Sequence, residues 1–172
     1  FGLTEAGAGT DASRQQTKAI DMVDYYEITG NKIFITNAGY ADVYIIFAMT
    51  DPDLGLKGIS AFIVEKDAKG FTVGPKEKKM GIRGSSTCEL ILDKVQVPKD
   101  QLLGKVAQGF KIAMATLDGG RIGIAAQAQG IAEGAFDKAV NYVKTRTQFG
   151  KPIASFQNTQ FVIADMKTRI EA

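Results

Sequence analysis

The chain of 172 residues is 45% hydrophobic and 23% charged, which supports a packed core and argues against disorder. Its 21 Lys and Arg nearly balance 19 Asp and Glu, and the scattered net charge of +2 gives no nucleic-acid surface. With no His and a single Cys, Cys88, it can hold neither a Ser-His-Asp nor a Cys-His catalytic set and no internal disulfide.

In chain order, residues 1–104 read as β structure. Phe1-Gly-Leu-Thr opens as an apolar strand and runs into a Gly-rich turn through Asp11. Tyr26–Thr36 reads as two alternating runs around Thr29-Gly30-Asn31-Lys32, the pattern of a hairpin. Val43–Met49 is a nearly continuous apolar strand of the kind found in a sheet centre, and Gly58–Val64 and Thr87–Val97 are further strands. Asp51-Pro-Asp and Lys69-Gly punctuate them as turns. Short strands with regular turns predict a small antiparallel β-barrel or sandwich.

From about Ala107 the period becomes helical. Phe110, Met114, Leu117, Arg121, Ala128 and Ile131 fall on one face, and the pattern continues to about Arg146. A second helix starts after Pro152, with Met166 and Ile170 on its apolar side. The expected fold class is therefore α+β: a β domain over 1–104, then long antiparallel helices of a bundle over 105–172. One and a half helices leave apolar faces without partners, so the chain reads as a piece of a longer protein. No apolar run is long enough to span a membrane.

Four stretches carry candidate chemistry. The first is Gly2-Leu-Thr-Glu…Gly9-Thr10-Asp11, in which small residues and hydroxyls could let backbone approach a ligand, although a tight connection is the plainer account. No helical pattern follows it, so it is not a dinucleotide-binding Gly motif. The second is Phe34-Ile-Thr-Asn37, readable as an ordinary strand end. The third is Leu117-Asp-Gly-Gly-Arg121 inside the long helix. Asp118 and Arg121 can simply pair there, but adjacent glycines cost about 1 kcal/mol each against Ala, which implies a close approach. The fourth is Arg146-Thr-Gln-Phe-Gly-Lys-Pro152, where Gly150 and Pro152 are helix-stop signals and Arg146 suits a helix C-terminus.

In this order and at these separations the four stretches resemble the acyl-CoA dehydrogenase family, most of all its short-chain or butyryl-CoA type. The resemblance covers the whole chain as a middle β domain and the start of the C-terminal helical domain. It implies FAD held by Phe1, Leu3, Thr4, Gly9 and Thr10, with Phe34, Ile35 and Thr36 as the wall against the flavin ring. It implies acyl-CoA contacts from Thr10, Asp118, Gly119, Gly120 and Arg121. Arg146, Phe149 and Gln157 resemble residues that reach the FAD of a neighbouring subunit, so a homodimer or homotetramer is implied. The family reaction is α,β-dehydrogenation of an acyl-CoA to trans-2-enoyl-CoA, with electrons passed to an electron-transferring flavoprotein. Bacterial cytoplasm and mitochondrial matrix both agree with one free Cys.

The departures are specific. The family's catalytic Glu usually lies in a Glu-Gly-Thr stretch beyond Ala172, and the alternative position on the long helix is occupied here by Gly120, which cannot act as a base. Glu5 and Glu133 are the carboxylates within the chain that could be considered instead, and their spacing supports neither. Ala6 replaces a frequent Pro, and Arg14 stands where a small residue is usual. A relative that binds FAD and acyl-CoA without catalysis, or an oxidase that passes electrons to oxygen, are the competing readings.

Overall fold

The computed structural model describes residues 1–172, which divide into two compact units, Phe1–Ala115 and Thr116–Ala172. The first unit is built on seven strands: β1 (Lys18–Asp21), β2 (Tyr25–Thr36), β3 (Val43–Met49), β4 (Ile59–Glu65), β5 (Phe71–Lys76), β6 (Thr87–Pro98) and β7 (Leu102–Leu103). They form one sheet in the order β5-β6-β2-β1-β3-β4-β7. Every pair is antiparallel except β1 with β3, which meet in parallel at Lys18 and Met49. With β5 and β7 at its two ends, the sheet is not a closed barrel.

Strand β3 is continuously apolar because both of its faces are covered. Tyr44, Ile46 and Ala48 join β2 and β6 residues such as Ile28, Leu90 and Val97 in the larger core. Phe47 and Met49 point the other way, into a second core with Leu3, Ile59, Ala61 and Ala113. Strand β4 divides in the same manner, giving Phe62 and Val64 to the first core and Ile59 and Ala61 to the second.

The hairpin expected within Tyr26–Thr36 is absent; the segment is one twelve-residue strand, paired along its length with β6. Gly30 marks an irregularity in that pairing rather than a turn. Its φ is +154°, and a Cβ there would lie 2.6 Å from the Cα of Thr17, so glycine is required by the close passage of the chain entering β1. A second register shift lies between Lys32 and Ile35. The first shift places its extra residue on β6 and the second places it on β2, and such bulges bend the paired strands while keeping them in the sheet.

The connection from β3 to β4 depends on Gly58. A Cβ on it would stand 1.7 Å from the carbonyl oxygen of Asp51, and the Gly58 carbonyl accepts from the amides of Thr50 and Asp51 at 2.9 and 3.2 Å. Backbone held this way cannot step aside. Gly58→Ala is therefore expected to cost about 3 kcal/mol, the upper end of ordinary overpacking, read as a lower midpoint in urea unfolding with an unchanged slope.

Helix α1 (Gly109–Thr145) is 37 residues long, and its first turns belong to the first unit, where Gly109 and Ala113 are buried. In the second unit it is followed by two short strands, β8 (Thr147–Gln148) and β9 (Lys151–Pro152), and by α2 (Gln157–Glu171). Gln129 on α1 donates to the Ile170 carbonyl of α2 at 2.8 Å, and the Lys167 ammonium stands 5.8 Å from the Phe136 ring centre. Ile122, Ile124 and Ile131 on α1 are exposed. No helix is long and apolar enough to cross a membrane.

Candidate functional site

The chain begins beside β3, bridged to it at Gly2. The Gly2 amide donates to the Ile45 carbonyl at 2.7 Å, and the Phe47 amide donates to the Gly2 carbonyl at 3.1 Å. Phe1 packs edge-on against Phe47 with ring centres 5.0 Å apart and keeps part of its ring exposed. The chain then turns back at Glu5 and Ala8, whose amides and carbonyls exchange two hydrogen bonds of 3.1 Å. Apart from the adjoining residues, nothing in the chain lies within 4 Å of where a Cβ would stand on Gly7 or Gly9, so this turn presents bare backbone. Thr10 is exposed next to them.

The end of β2 meets this stretch. The Ile33 amide donates to the Thr4 carbonyl at 2.9 Å, so the first two candidate stretches, far apart in sequence, become neighbours. At the second register shift Phe34 takes the left-handed conformation, with φ of +58°, and shows 62% of its surface. An aromatic residue in that region is a steric outlier costing about 1–2 kcal/mol, and such outliers collect at functional sites. Thr36 is exposed on the same strand. Leu3 and Ile35, expected on the ligand wall, have their side chains in the two cores. Replacing Phe34 by Gly should leave thermal stability equal or higher by about 1 kcal/mol, because the left-handed penalty disappears. The same change should weaken retention of a flat aromatic ligand, which equilibrium dialysis would measure.

Beneath this surface lies a buried polar cluster that sequence reading does not find. Lys32 is fully buried and donates from its ammonium to the Glu5 carboxylate at 2.7 Å, the Gln15 side-chain carbonyl at 2.8 Å and the Leu3 backbone carbonyl at 3.2 Å. Glu5 also accepts from the amides of Gln16 at 2.6 Å and Thr17 at 3.1 Å. Burial pushes the Glu5 carboxyl up, but the hydrogen bonds from Lys32 and Gln16 outweigh it and hold the group below its ordinary value. For Lys32 burial dominates and pulls the ammonium down to about 8 against the opposing pull of Glu5. Both Glu5 oxygens are thus committed to the fold, and Glu5 is unsuited to be a catalytic base. A Lys at the inward position of an alternating strand is the sole hint in the sequence.

In the second unit, Asp118 and Arg121 form an exposed ion pair of 3.0 Å. Gly119 and Gly120 between them are exposed, and apart from the adjoining residues and the helix's own backbone nothing in the chain comes within 4 Å of either missing Cβ. The close approach that would justify two helix glycines is not made by the chain itself. After α1, β8 and β9 pair through Phe149 and Gly150, which have φ of +53° and +75°. Two successive left-handed residues make the tight hairpin turn that normally prefers Asn-Gly. Phe149 takes that place with its ring 92% exposed, its edge toward Phe156 at 6.1 Å. Arg146 precedes the hairpin, and its carbonyl accepts from the Ile153 amide at 2.8 Å, while Gln157 opens α2; both side chains are exposed. Gly150 is therefore a turn residue of this hairpin and not the stop of α1, which already ends at Thr145.

Comparison with known proteins places both units. Residues 1–95 match the model of the acyl-CoA dehydrogenase middle domain, and residues 107–172 match that of the acyl-CoA dehydrogenase C-terminal domain. The chain is 57% identical over its whole length to a short-chain specific acyl-CoA dehydrogenase of Clostridium acetobutylicum, of which it covers 45%. It superposes on butyryl-CoA dehydrogenase of Megasphaera elsdenii with a TM-score of 0.94 and 59% identity, over 99% of this chain and 45% of that one. The same TM-score of 0.94, with 60% identity and coverage of 99% and 45%, relates it to a chain in a structure of the electron transferring flavoprotein of Acidaminococcus fermentans. The chain spans about half the length of the relatives it matches.

Proposed function

Since the chain belongs to the acyl-CoA dehydrogenase family, whose members are flavoproteins, we propose that the whole protein oxidises short-chain acyl-CoA to trans-2-enoyl-CoA with FAD and passes the electrons to an electron-transferring flavoprotein. The observation that carries this reading is the hydrogen bond from the Ile33 amide to the Thr4 carbonyl, which sets Thr4 beside the strand end that displays Phe34 and Thr36. Bare backbone at Gly7 and Gly9, an exposed left-handed aromatic and two hydroxyls are a donor set suited to the face and edge of a flat heterocycle.

In this reading Phe1, Phe34 and the Leu3–Thr4 backbone would bound the ring, Ile35 would support the wall from its core side, and Gly9 and Thr10 would lie beside the cofactor and the substrate arm. The Thr4 and Thr36 hydroxyls would hold its polar edges. Acceptance of a hydride from the β-carbon is the chemistry that a bound flavin supplies. The chain's own part is to orient the ring and keep water from its face. Asp118, Gly119, Gly120 and Arg121 would let acyl-CoA run against α1, where bare helix backbone leaves room for it. Arg146, Phe149 and Gln157 would complete the cofactor site of a second subunit, the guanidinium suiting a pyrophosphate through paired charge-assisted hydrogen bonds.

Adding butyryl-CoA anaerobically to the whole protein is expected to bleach its flavin absorbance. A flavin that stays yellow with butyryl-CoA and with longer homologues would overturn the reading. Because no residue of this chain is assigned as the α-proton base, the chain by itself should yield no enoyl-CoA, as chromatography of its reaction with butyryl-CoA and an artificial electron acceptor would show.

A further inference from the structure

The buried ammonium of Lys32 is the largest feature that the proposed chemistry does not use. Its three acceptors are the Leu3 carbonyl and the Glu5 carboxylate, from one short segment, and the Gln15 side chain, ten residues further on. The residue that follows Lys32 donates its amide to the carbonyl of Thr4, between the first two of those acceptors. Lys32 and Ile33 therefore grip three consecutive residues, Leu3, Thr4 and Glu5, from the strand that two residues later displays Phe34. An ammonium is a costly way to fill a core position, and an apolar side chain of similar volume commonly gives equal or better stability. Only a donor can fix the Leu3 carbonyl, and that carbonyl is covalently joined to Thr4.

We infer that Lys32 is a positioning residue whose grip on Leu3 and Glu5 sets the spacing of Thr4 from Phe34 and Thr36, and with it the fit of the flavin. The inference rests on the cofactor reading given above. It differs from a purely structural role in one respect: removing the charges together should restore stability without restoring the site.

The test compares two neutral pairs in the whole flavin-loaded protein, Glu5→Gln with Lys32→Met and Glu5→Gln with Lys32→Gln. Both remove the buried charges, but only the second leaves a donor for the Leu3 carbonyl. Both are expected to melt near the wild-type temperature. With Met, the visible flavin band shifts and the flavin dissociation constant rises about tenfold or more, as displacement of the ring's contacts predicts. With Gln, both return toward wild type. Wild-type spectrum and affinity in the Met pair would overturn the inference, as would equal impairment of two pairs that melt alike. Should the pairs fail to fold, Gln15→Met withdraws one acceptor from the ammonium without touching a charge; it should shift the flavin band in the same direction, and an unmoved band overturns the inference. A wild-type protein that takes up no flavin overturns the cofactor reading instead, which keeps the two failures distinct.

Discussion

Glu5→Gln should lower the unfolding free energy by about 3 kcal/mol, because it strands the ammonium of Lys32 inside the protein. The two side chains are 6% and 0% exposed, so water cannot take over the lost charge. Urea denaturation of the whole protein would show a lower midpoint at an unchanged slope. A loss below about 0.5 kcal/mol would mean that the remaining acceptors, Leu3 and Gln15, suffice for Lys32. The pH dependence carries a sign for each partner. Glu5 is held below its ordinary value of 4.5, so its contribution is complete above that pH and disappears as pH falls through the lowered value. Lys32 is also lowered, from 10.5 to about 8, so the unfolded chain binds more protons between those values. From this group alone, stability should rise across that alkaline window. Lys32→Met in the Glu5→Gln background should flatten both limbs.

The second large effect combines opposite signs in one variant. Gly119→Ala with Gly120→Ala should raise stability, because each replacement gains about 1 kcal/mol of helix propensity and neither new methyl meets anything beyond the helix's own backbone and adjoining residues within 4 Å. The same methyls should obstruct a substrate lying on the helix backbone and raise KM for butyryl-CoA about tenfold, a loss of about 1.4 kcal/mol. A gain in melting temperature with an unchanged KM would show that the glycine pair serves no ligand. A fall in melting temperature would show instead that the helix needs those positions free for packing.

Much of this was legible from pattern. The strand Val43–Met49 was readable because burial on both faces leaves a continuous apolar run, and the long helix because its apolar residues recur at helical spacing, although only Gly109 and Ala113 of it are buried. Gly30 misled because a tight turn and a close backbone crossing both ask for glycine, and Thr-Gly-Asn-Lys does not say which. Strands β1 and β5 escaped notice since Lys18–Asp21 and Phe71–Lys76 bury one residue each and so show no alternation. The first two candidate stretches could be read singly, but their meeting could not. It depends on one hydrogen bond between Ile33 and Thr4 and on the bulge that turns Phe34 outward, neither of which has a compositional signature. The partnership of Lys32 with Glu5 was hidden because the two stand 27 residues apart and either would pass for a surface charge.

The sheet order also sets a timetable for the nascent chain. Strand β2 receives β1 on one side almost at once, but its other edge waits for β6, with Asn31 meeting Glu89 58 residues later. At a ribosomal rate of about 5–20 residues per second, that edge stays open for some seconds while β3 and β4, apolar on both faces, are already outside. Local contacts cannot shorten the wait, since the missing strand has not been made. During synthesis the β domain accordingly carries an open strand edge, and slowing translation before Thr87 should increase its aggregation more than the same delay placed after Pro98.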